Sequence, residues 1–286
     1  MTKLPDTDFD SLLPPLVLTR RGFIAGSLAT GFALAAGAAV AQTAIKTSSE
    51  GLDAGEIRIP TADGEIAGYR AAPAGKTGLP VVLVVQEVFG VHEYIQDVCR
   101  RLAHEGYMAV APELYSPRGE PRKYTEIGKV PDTEVISDLD ASAVWAAGHG
   151  GDPELLGITG FCWGGRFAWL YAAHNPKVDA GVAWYGRLVG DKDTLHPVQP
   201  VEIAARINGP VLGLYGGKDA GIMQDSIDAM KAELAKGPDA AKASEFVVYP
   251  EAGHAFHADY RPSYHEDAAK DGWKRALAWF DLHLKK

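Results

Sequence analysis

Cys162 stands in Gly160-Phe161-Cys162-Trp163-Gly164-Gly165, where an apolar, strand-like run over 155–160 meets a helical pattern over 164–174. This spacing predicts a nucleophile elbow, a sharp strand-to-helix turn with strained backbone at its centre and neighbours packed too close for a Cβ. The turn would lift the side chain at 162 clear of a sheet. It would also set the N–H of Trp163 at a helix N-terminus, where an oxyanion can be stabilised. A small thiol buried at a strand end is the plain alternative. Glycines at 160, 164 and 165 weigh against it.

Three further residues fall at the ends of predicted strands. Glu87 follows the β-branched run over 79–85, Asp219 follows the strand at 210–215 in a Gly-rich turn, and His254 follows the strand at 245–249. Taken singly, an Asp beside glycine is turn chemistry and a loop His is solvated. Together with Cys162 they follow the order nucleophile, acid, histidine, which is that of the α/β-hydrolases. The chemistry assigns the roles. His254 relays the proton, Asp219 orients its ring and stabilises the imidazolium, and Cys162 attacks a carbonyl carbon.

Positioning these groups requires a sheet whose strand ends converge. Residues 56–60 and 65–70 alternate about Asp63-Gly64, a hairpin signal. The continuous apolar run at 79–85 reads as a strand buried on both faces. A helix over 92–105 follows, with Cys99 on its apolar face, then a strand at 107–111 and a Pro-containing loop over 112–131. Beyond it come a helix over 132–147, the elbow strand at 155–160, a strand at 178–185 and a short helical piece over 201–206. Helices over 222–236 and 263–284 flank the last strand. Strands alternating with helices predict an α/β fold of the α/β-hydrolase type, a mostly parallel sheet with helices on both faces and the site at the strand C-termini.

At 286 residues, 47% hydrophobic and 23% charged, the chain has an ordinary globular composition. Its net charge of −9 argues against nucleic acid or an anionic membrane as partner. The first 41 residues read differently. Thr19-Arg20-Arg21-Gly22-Phe23-Ile24, an Ala/Gly-rich apolar stretch over 25–40 and Ala39-Val40-Ala41 before Gln42 predict a cleaved twin-arginine signal. The export machinery is then a partner, and the destination is the periplasm or the medium. A retained membrane anchor is the alternative, but the stretch is weakly apolar for a spanning helix. Cleavage removes Lys3, Arg20 and Arg21 with Asp6, Asp8 and Asp10, so the mature charge stays at −9. Residues 42–55 read as a flexible leader and 56–286 as one domain. With only Cys99 and Cys162 there is no disulfide framework. Arriving folded, with the thiol in a pocket, limits its oxidation outside the cell.

The chain resembles the dienelactone hydrolases (carboxymethylenebutenolidases) over roughly residues 56–284. The resemblance rests on Gln86-Glu87-Val88-Phe89-Gly90, Ala111-Pro112-Glu113-Leu114-Tyr115, the Cys162 elbow, Trp184-Tyr185-Gly186, Gly217-Lys218-Asp219 and Gly253-His254-Ala255-Phe256-His257. Cys in the elbow with Glu at the first strand end is its specific part. The resemblance implies that Glu87 hydrogen-bonds the resting thiol and deprotonates it when substrate binds. It implies that the N–H of Val88 completes the oxyanion hole with that of Trp163. It also implies arginines that grip a substrate carboxylate. Arg118 matches one, whereas four residues past His254 the chain carries Ala258, with Arg261 three further on. Tyr115, Tyr185 and Phe256, with Trp163 and Trp184, are candidate pocket aromatics.

The expected reaction is opening of a lactone or cleavage of a small carboxylic ester, without metal or organic cofactor, by a monomer or homodimer. A thioesterase or other acyl hydrolase uses the same triad, and a non-catalytic α/β-hydrolase scaffold is the rival of another class. A complete triad weighs against the scaffold. His254, His257 and His265 match no metal-binding spacing, and His257 reads as a pocket-rim or solvated side chain.

Overall fold

The computed structural model describes residues 44–115 and 127–285. The predicted signal over 1–41 and Arg118 lie outside them. Eight strands form one sheet in the order β1-β2-β4-β3-β5-β6-β7-β8. β1 (Leu52–Thr61) and β2 (Gly64–Pro73) form the hairpin, in register from Leu52 opposite Pro73 to Thr61 opposite Gly64. β2 also runs antiparallel to β4 (Met108–Pro112), and β3 (Leu79–Val85), β4, β5 (Gly151–Phe161), β6 (Val178–Trp184), β7 (Val211–Gly216) and β8 (Glu245–Tyr249) run parallel.

Residues 81–85 of β3 are all buried. Successive strand side chains point to opposite faces, so both faces are covered. The cover comes from α1 (Glu93–His104), α2 (Asp132–Gly148), α3 (Trp163–His174), α4 (Pro200–Ile203), α5 (Gln224–Leu234), α6 (Asp239–Lys242) and α7 (Glu266–Leu284). α7 approaches β5 and β6 closely because glycines stand where they meet, Gly157 on the sheet and Gly272 on the helix. A Cβ on Gly157 would lie 2.8 Å from Leu284, and one on Gly272 would lie 2.7 Å from the Trp184 ring. Cys99 is fully buried on α1, as its place in the helical pattern predicts.

The structure moves three expected boundaries. β1 begins at Leu52, so 52–55 belong to the sheet rather than to a flexible leader, and the chain just before them docks on α1. Arg100 Nε donates to the Thr47 carbonyl at 2.9 Å, and His104 Nε2 lies 2.8 Å from the Ser48 carbonyl. β5 begins at Gly151, through Asp152-Pro153-Glu154, with a register shift against β3 between Leu79 and Val81. Those polar residues, with a proline lacking its N–H, hide the strand from any apolar pattern. α7 begins at Glu266, where the His265 ring accepts from the Ala268 N–H at 3.4 Å.

Candidate active site

β5 ends at Phe161 and α3 begins at Trp163, leaving Cys162 alone to make the turn, at φ 55 and ψ −115. A residue with a side chain held there stores about 1–3 kcal/mol of strain, so the surroundings must impose it. They do so by close packing. A Cβ on Gly160 would sit 2.0 Å from the Gly164 carbonyl oxygen, one on Gly164 would sit 2.3 Å from that of Val85, and one on Gly165 would sit 2.5 Å from that of Trp184. The Cys162 N–H donates to the Trp184 carbonyl at 3.0 Å, tying the turn to β6. Trp163, first in the helix, has no intrahelical acceptor for its N–H. Arg166, one turn on, forms paired bonds to Asp132 at 2.7 and 2.8 Å and further bonds to Gln199 and the Val198 carbonyl. This buried clamp anchors the start of α3 to α2, and sequence reasoning missed it.

Asp219 and His254 meet across the ends of β7 and β8. The two loops can touch because Gly216 lacks a side chain: a Cβ there would lie 2.6 Å from the carbonyl oxygens of both Ala252 and Gly253. His254 Nδ1 lies 2.6 Å from Asp219 Oδ2, and the Gly221 N–H donates to Oδ1 at 2.9 Å. A carboxylate partner places the ring proton on Nδ1 and makes Nε2 the basic nitrogen. Burial disfavours the imidazolium, but the charge of the neighbouring Cys162 and the hydrogen-bonded Asp219 together carry the His254 pKa well above its usual value. The structure thus ties His254 to Asp219 through Nδ1 and sets its ring within electrostatic reach of Cys162, with Nε2 buried and not yet hydrogen-bonded.

Glu87 is fully buried just beyond the end of β3. Burial raises its pKa, against the opposing pull of Arg261, the Tyr260 hydroxyl and His254. Where the resemblance implied a bond to the resting thiol, the structure differs. Oε2 accepts from the Tyr260 hydroxyl at 2.7 Å, and Oε1 has no hydrogen-bond partner. The loop carrying Glu87 and Val88 is held by Glu113, whose carboxylate accepts from Gln86 Nε2 at 3.0 Å and from the Val91 N–H at 2.8 Å. Gly90, at φ 84, admits that carboxylate, since a Cβ would lie 2.8 Å from it. Neither Tyr260 nor Glu113 was singled out from the sequence for such a part. Glu113 lies inside a recognised motif, whereas nothing local marks Tyr260.

The remaining candidates divide. Tyr115 donates its hydroxyl to the Val88 carbonyl and sets its ring edge-on to Trp163 at 6.3 Å, bracing both segments that carry the expected oxyanion N–H groups. Arg261 is largely buried with its guanidinium 5.5 Å from the Phe89 ring, within electrostatic reach of Glu87. Tyr185, at φ 39, sets its ring 5.2 Å from that of His254. Phe256 is not a pocket wall: it is fully buried among Trp184, Tyr185 and Tyr249 and packs behind Tyr185. Trp184 is interior as well, its N–H on Thr159 at 3.2 Å. His257 is neither rim nor solvated. It is buried against Phe161 and Trp184, 2.6 Å from the Tyr94 hydroxyl, and burial drives its pKa well below the usual value. Among the described residues no group of three His, Cys, Asp or Glu is placed to hold a metal ion.

Known proteins share this architecture. A protein from Methylorubrum extorquens named "Putative carboxymethylenebutenolidase" is 58% identical, over 96% of this chain and 97% of its own length. A Bradyrhizobium protein named "Probable 2-oxo-3-(5-oxofuran-2-ylidene)propanoate lactonase" is 34% identical, over 76% of this chain and 89% of its own. The crystal structure of a "Putative Dienelactone Hydrolase" from Klebsiella pneumoniae subsp. pneumoniae superposes with a TM-score of 0.76 at 56% identity, covering 81% of this chain and 99% of that one. With residues 66–284 matching the family as a whole, the chain belongs to the dienelactone hydrolase family and is a carboxylic ester hydrolase on an α/β-hydrolase fold.

Proposed function

We propose that this hydrolase opens a lactone or cleaves a small ester through an acyl-enzyme on Cys162, with His254 as acid–base and Asp219 as its orienting partner. The observation that carries the reading is the His254 ring, tied at Nδ1 to Asp219 and set against a thiol on a strained elbow. His254 Nε2 takes the thiol proton as sulfur bonds to the carbonyl carbon. The N–H groups of Trp163 and Val88 receive the oxyanion. Collapse breaks the C–O bond, and the imidazolium gives its proton to the departing oxygen. In a lactone that oxygen stays tethered to the acyl group. Water, deprotonated by His254, then adds to the thioester carbon, and the C–S bond breaks to release the acid and restore the thiol.

Arg261 favours an anionic substrate, because a largely buried guanidinium beside the loop that carries Glu87 and Val88 complements a carboxylate. The assay compares dienelactone with the neutral ester p-nitrophenyl acetate, each beside Cys162→Ala. Turnover of both that vanishes in Cys162→Ala, with kcat/KM higher for the anion, is the expected outcome. Turnover that persists in Cys162→Ala refutes the acyl-enzyme. We further infer export by the twin-arginine route from the motif at Arg20-Arg21. Cell fractionation and N-terminal sequencing test it, with a mature chain beginning at Gln42 expected and an uncleaved cytoplasmic chain refuting it.

A further inference from the structure

Tyr260 lies in the loop that leads from His254 towards α7, and its side chain is fully buried. Three contacts fix the direction of its hydroxyl. The Tyr94 N–H donates to His92 Nδ1 at 3.3 Å, so that nitrogen is the acceptor and Nε2 bears the ring hydrogen. Nε2 lies 3.5 Å from the Tyr260 oxygen, at the long end of a hydrogen bond, with the rings edge-on at 5.1 Å. Burial, with Arg261 nearby, holds His92 neutral by lowering its pKa to about 3. With His92 as donor behind it, the phenol has one proton to give, and gives it to Glu87 Oε2 at 2.7 Å. Burial and then the charge of Glu87 raise the Tyr260 pKa well above 10, so the phenol stays protonated.

We propose that Tyr260 is a positioning residue: its hydroxyl, backed by the neutral His92 imidazole, pins Oε2 of Glu87, holding that carboxyl off the Cys162 thiol and leaving Oε1 to meet substrate. Swinging Glu87 to the thiol would break the bond that the phenol donates to Oε2 at 2.7 Å, an unfavourable move for a group buried away from solvent. The resting nucleophile is therefore governed by His254. Glu87 enters only when substrate reaches Oε1. This rests on the acyl-enzyme reading above and on a part for Glu87 in it.

Around Glu87 stand Tyr260, Arg261, Asp259, His254, Tyr94 and Tyr185. Of these, the phenol of Tyr260 is the group whose removal changes the hydrogen bonding of Glu87 without changing any charge. The bond favours the ionised carboxyl, so Tyr260→Phe raises the Glu87 pKa. The acid limb of kcat/KM for p-nitrophenyl acetate should then move up by about one pH unit, slowing turnover about tenfold below the limb. KM should change little, because the phenol does not touch substrate. In a Glu87→Gln background, which removes the titrating group, Tyr260→Phe should shift no limb. Replacing Tyr260 with 3-fluorotyrosine preserves shape and hydroxyl, strengthens the donor, and should move the limb down; it serves even if Tyr260→Phe fails to fold. The proposal is overturned if Glu87→Gln slows turnover but neither change at 260 moves the limb, or if Tyr260→Phe costs as much with Glu87 already replaced. If Glu87→Gln alone leaves rate and limb unchanged, the part assigned to Glu87 in catalysis fails first, and that of Tyr260 with it.

Discussion

Replacing Asp219 with Asn should disable the enzyme by reversing one hydrogen bond. Asp219 Oδ1 accepts from the Gly221 N–H at 2.9 Å, and Oδ2 faces His254 Nδ1 at 2.6 Å. An asparagine must keep its oxygen towards Gly221, since an amide NH2 facing that N–H would set donor against donor. Its NH2 therefore falls on the Oδ2 position and donates to Nδ1. The imidazole then carries its proton on Nε2, the nitrogen that must accept from Cys162. The analogous change in a serine triad lowers turnover by about four orders of magnitude. A thiol is more acidic than an alcohol and needs less help, so a loss of ~10³-fold in kcat, about 4 kcal/mol, is expected here. The pH dependence of Cys162 alkylation by iodoacetamide reports the same change without substrate. The low-pH reactive thiolate fraction should disappear, because Asp219 no longer supports the imidazolium. The fold should survive, since the substitution is isosteric. A variant within tenfold of the parent in kcat, with an unchanged alkylation profile, would refute the assignment of Asp219 as orienting partner.

The elbow and Glu87 carry two predictions about stability. Gly164→Ala places a Cβ 2.3 Å from the Val85 carbonyl oxygen and 2.5 Å from that of Gln86; both are backbone, so a loss of about 3 kcal/mol in urea unfolding is expected, and one below about 1 kcal/mol would show that the elbow relaxes. Glu87 has a raised pKa in the folded state through burial, so folding binds a proton there and stability falls as pH rises from its unfolded value near 4.5 through the folded one. Glu87→Gln, still able to accept from Tyr260, should raise Tm at neutral pH by the equivalent of about 1.4 kcal/mol for each tenfold by which burial weakens this acid, with the advantage vanishing in acid; equal Tm values across pH would contradict a desolvated carboxyl.

What could be read from the sequence was whatever the backbone forces upon residue type. The elbow needs glycines at 160, 164 and 165 because carbonyl oxygens stand within 2.5 Å of any Cβ there, and that demand is visible without a fold. Asp219 and His254 could be placed because parallel strands announce their ends through apolar runs and Gly-rich turns. Side chains chosen by distant partners left no such trace. Tyr260 meets Glu87 across 173 positions, Arg166 meets Asp132 across 34, and Gln86 meets Glu113 across 27. Phe256 looked like a pocket wall because it sits beside His254, yet what packs over it, Trp184, Tyr185 and Tyr249, comes mostly from other strands.

The strained positions join these two classes. Among the described residues, Cys162, Tyr185 and Ala255 are the non-glycine residues at positive φ. The first is the proposed nucleophile, the second sets its ring against His254, and the third follows His254 in the chain. A core selected for stability alone would place glycine at such positions, and would not enclose Glu87 with one oxygen unbonded. Each departure acts against folding, so something other than folding must retain it. All of them lie at or beside the residues proposed to act, with Tyr185 against the His254 ring and Glu87 within electrostatic reach of it. The energy that burial of the sheet supplies is spent there, on holding a thiol, an imidazole and a carboxyl in place before substrate arrives. Relaxing any one of them should therefore stabilise the protein while slowing it, as Glu87→Gln is expected to do.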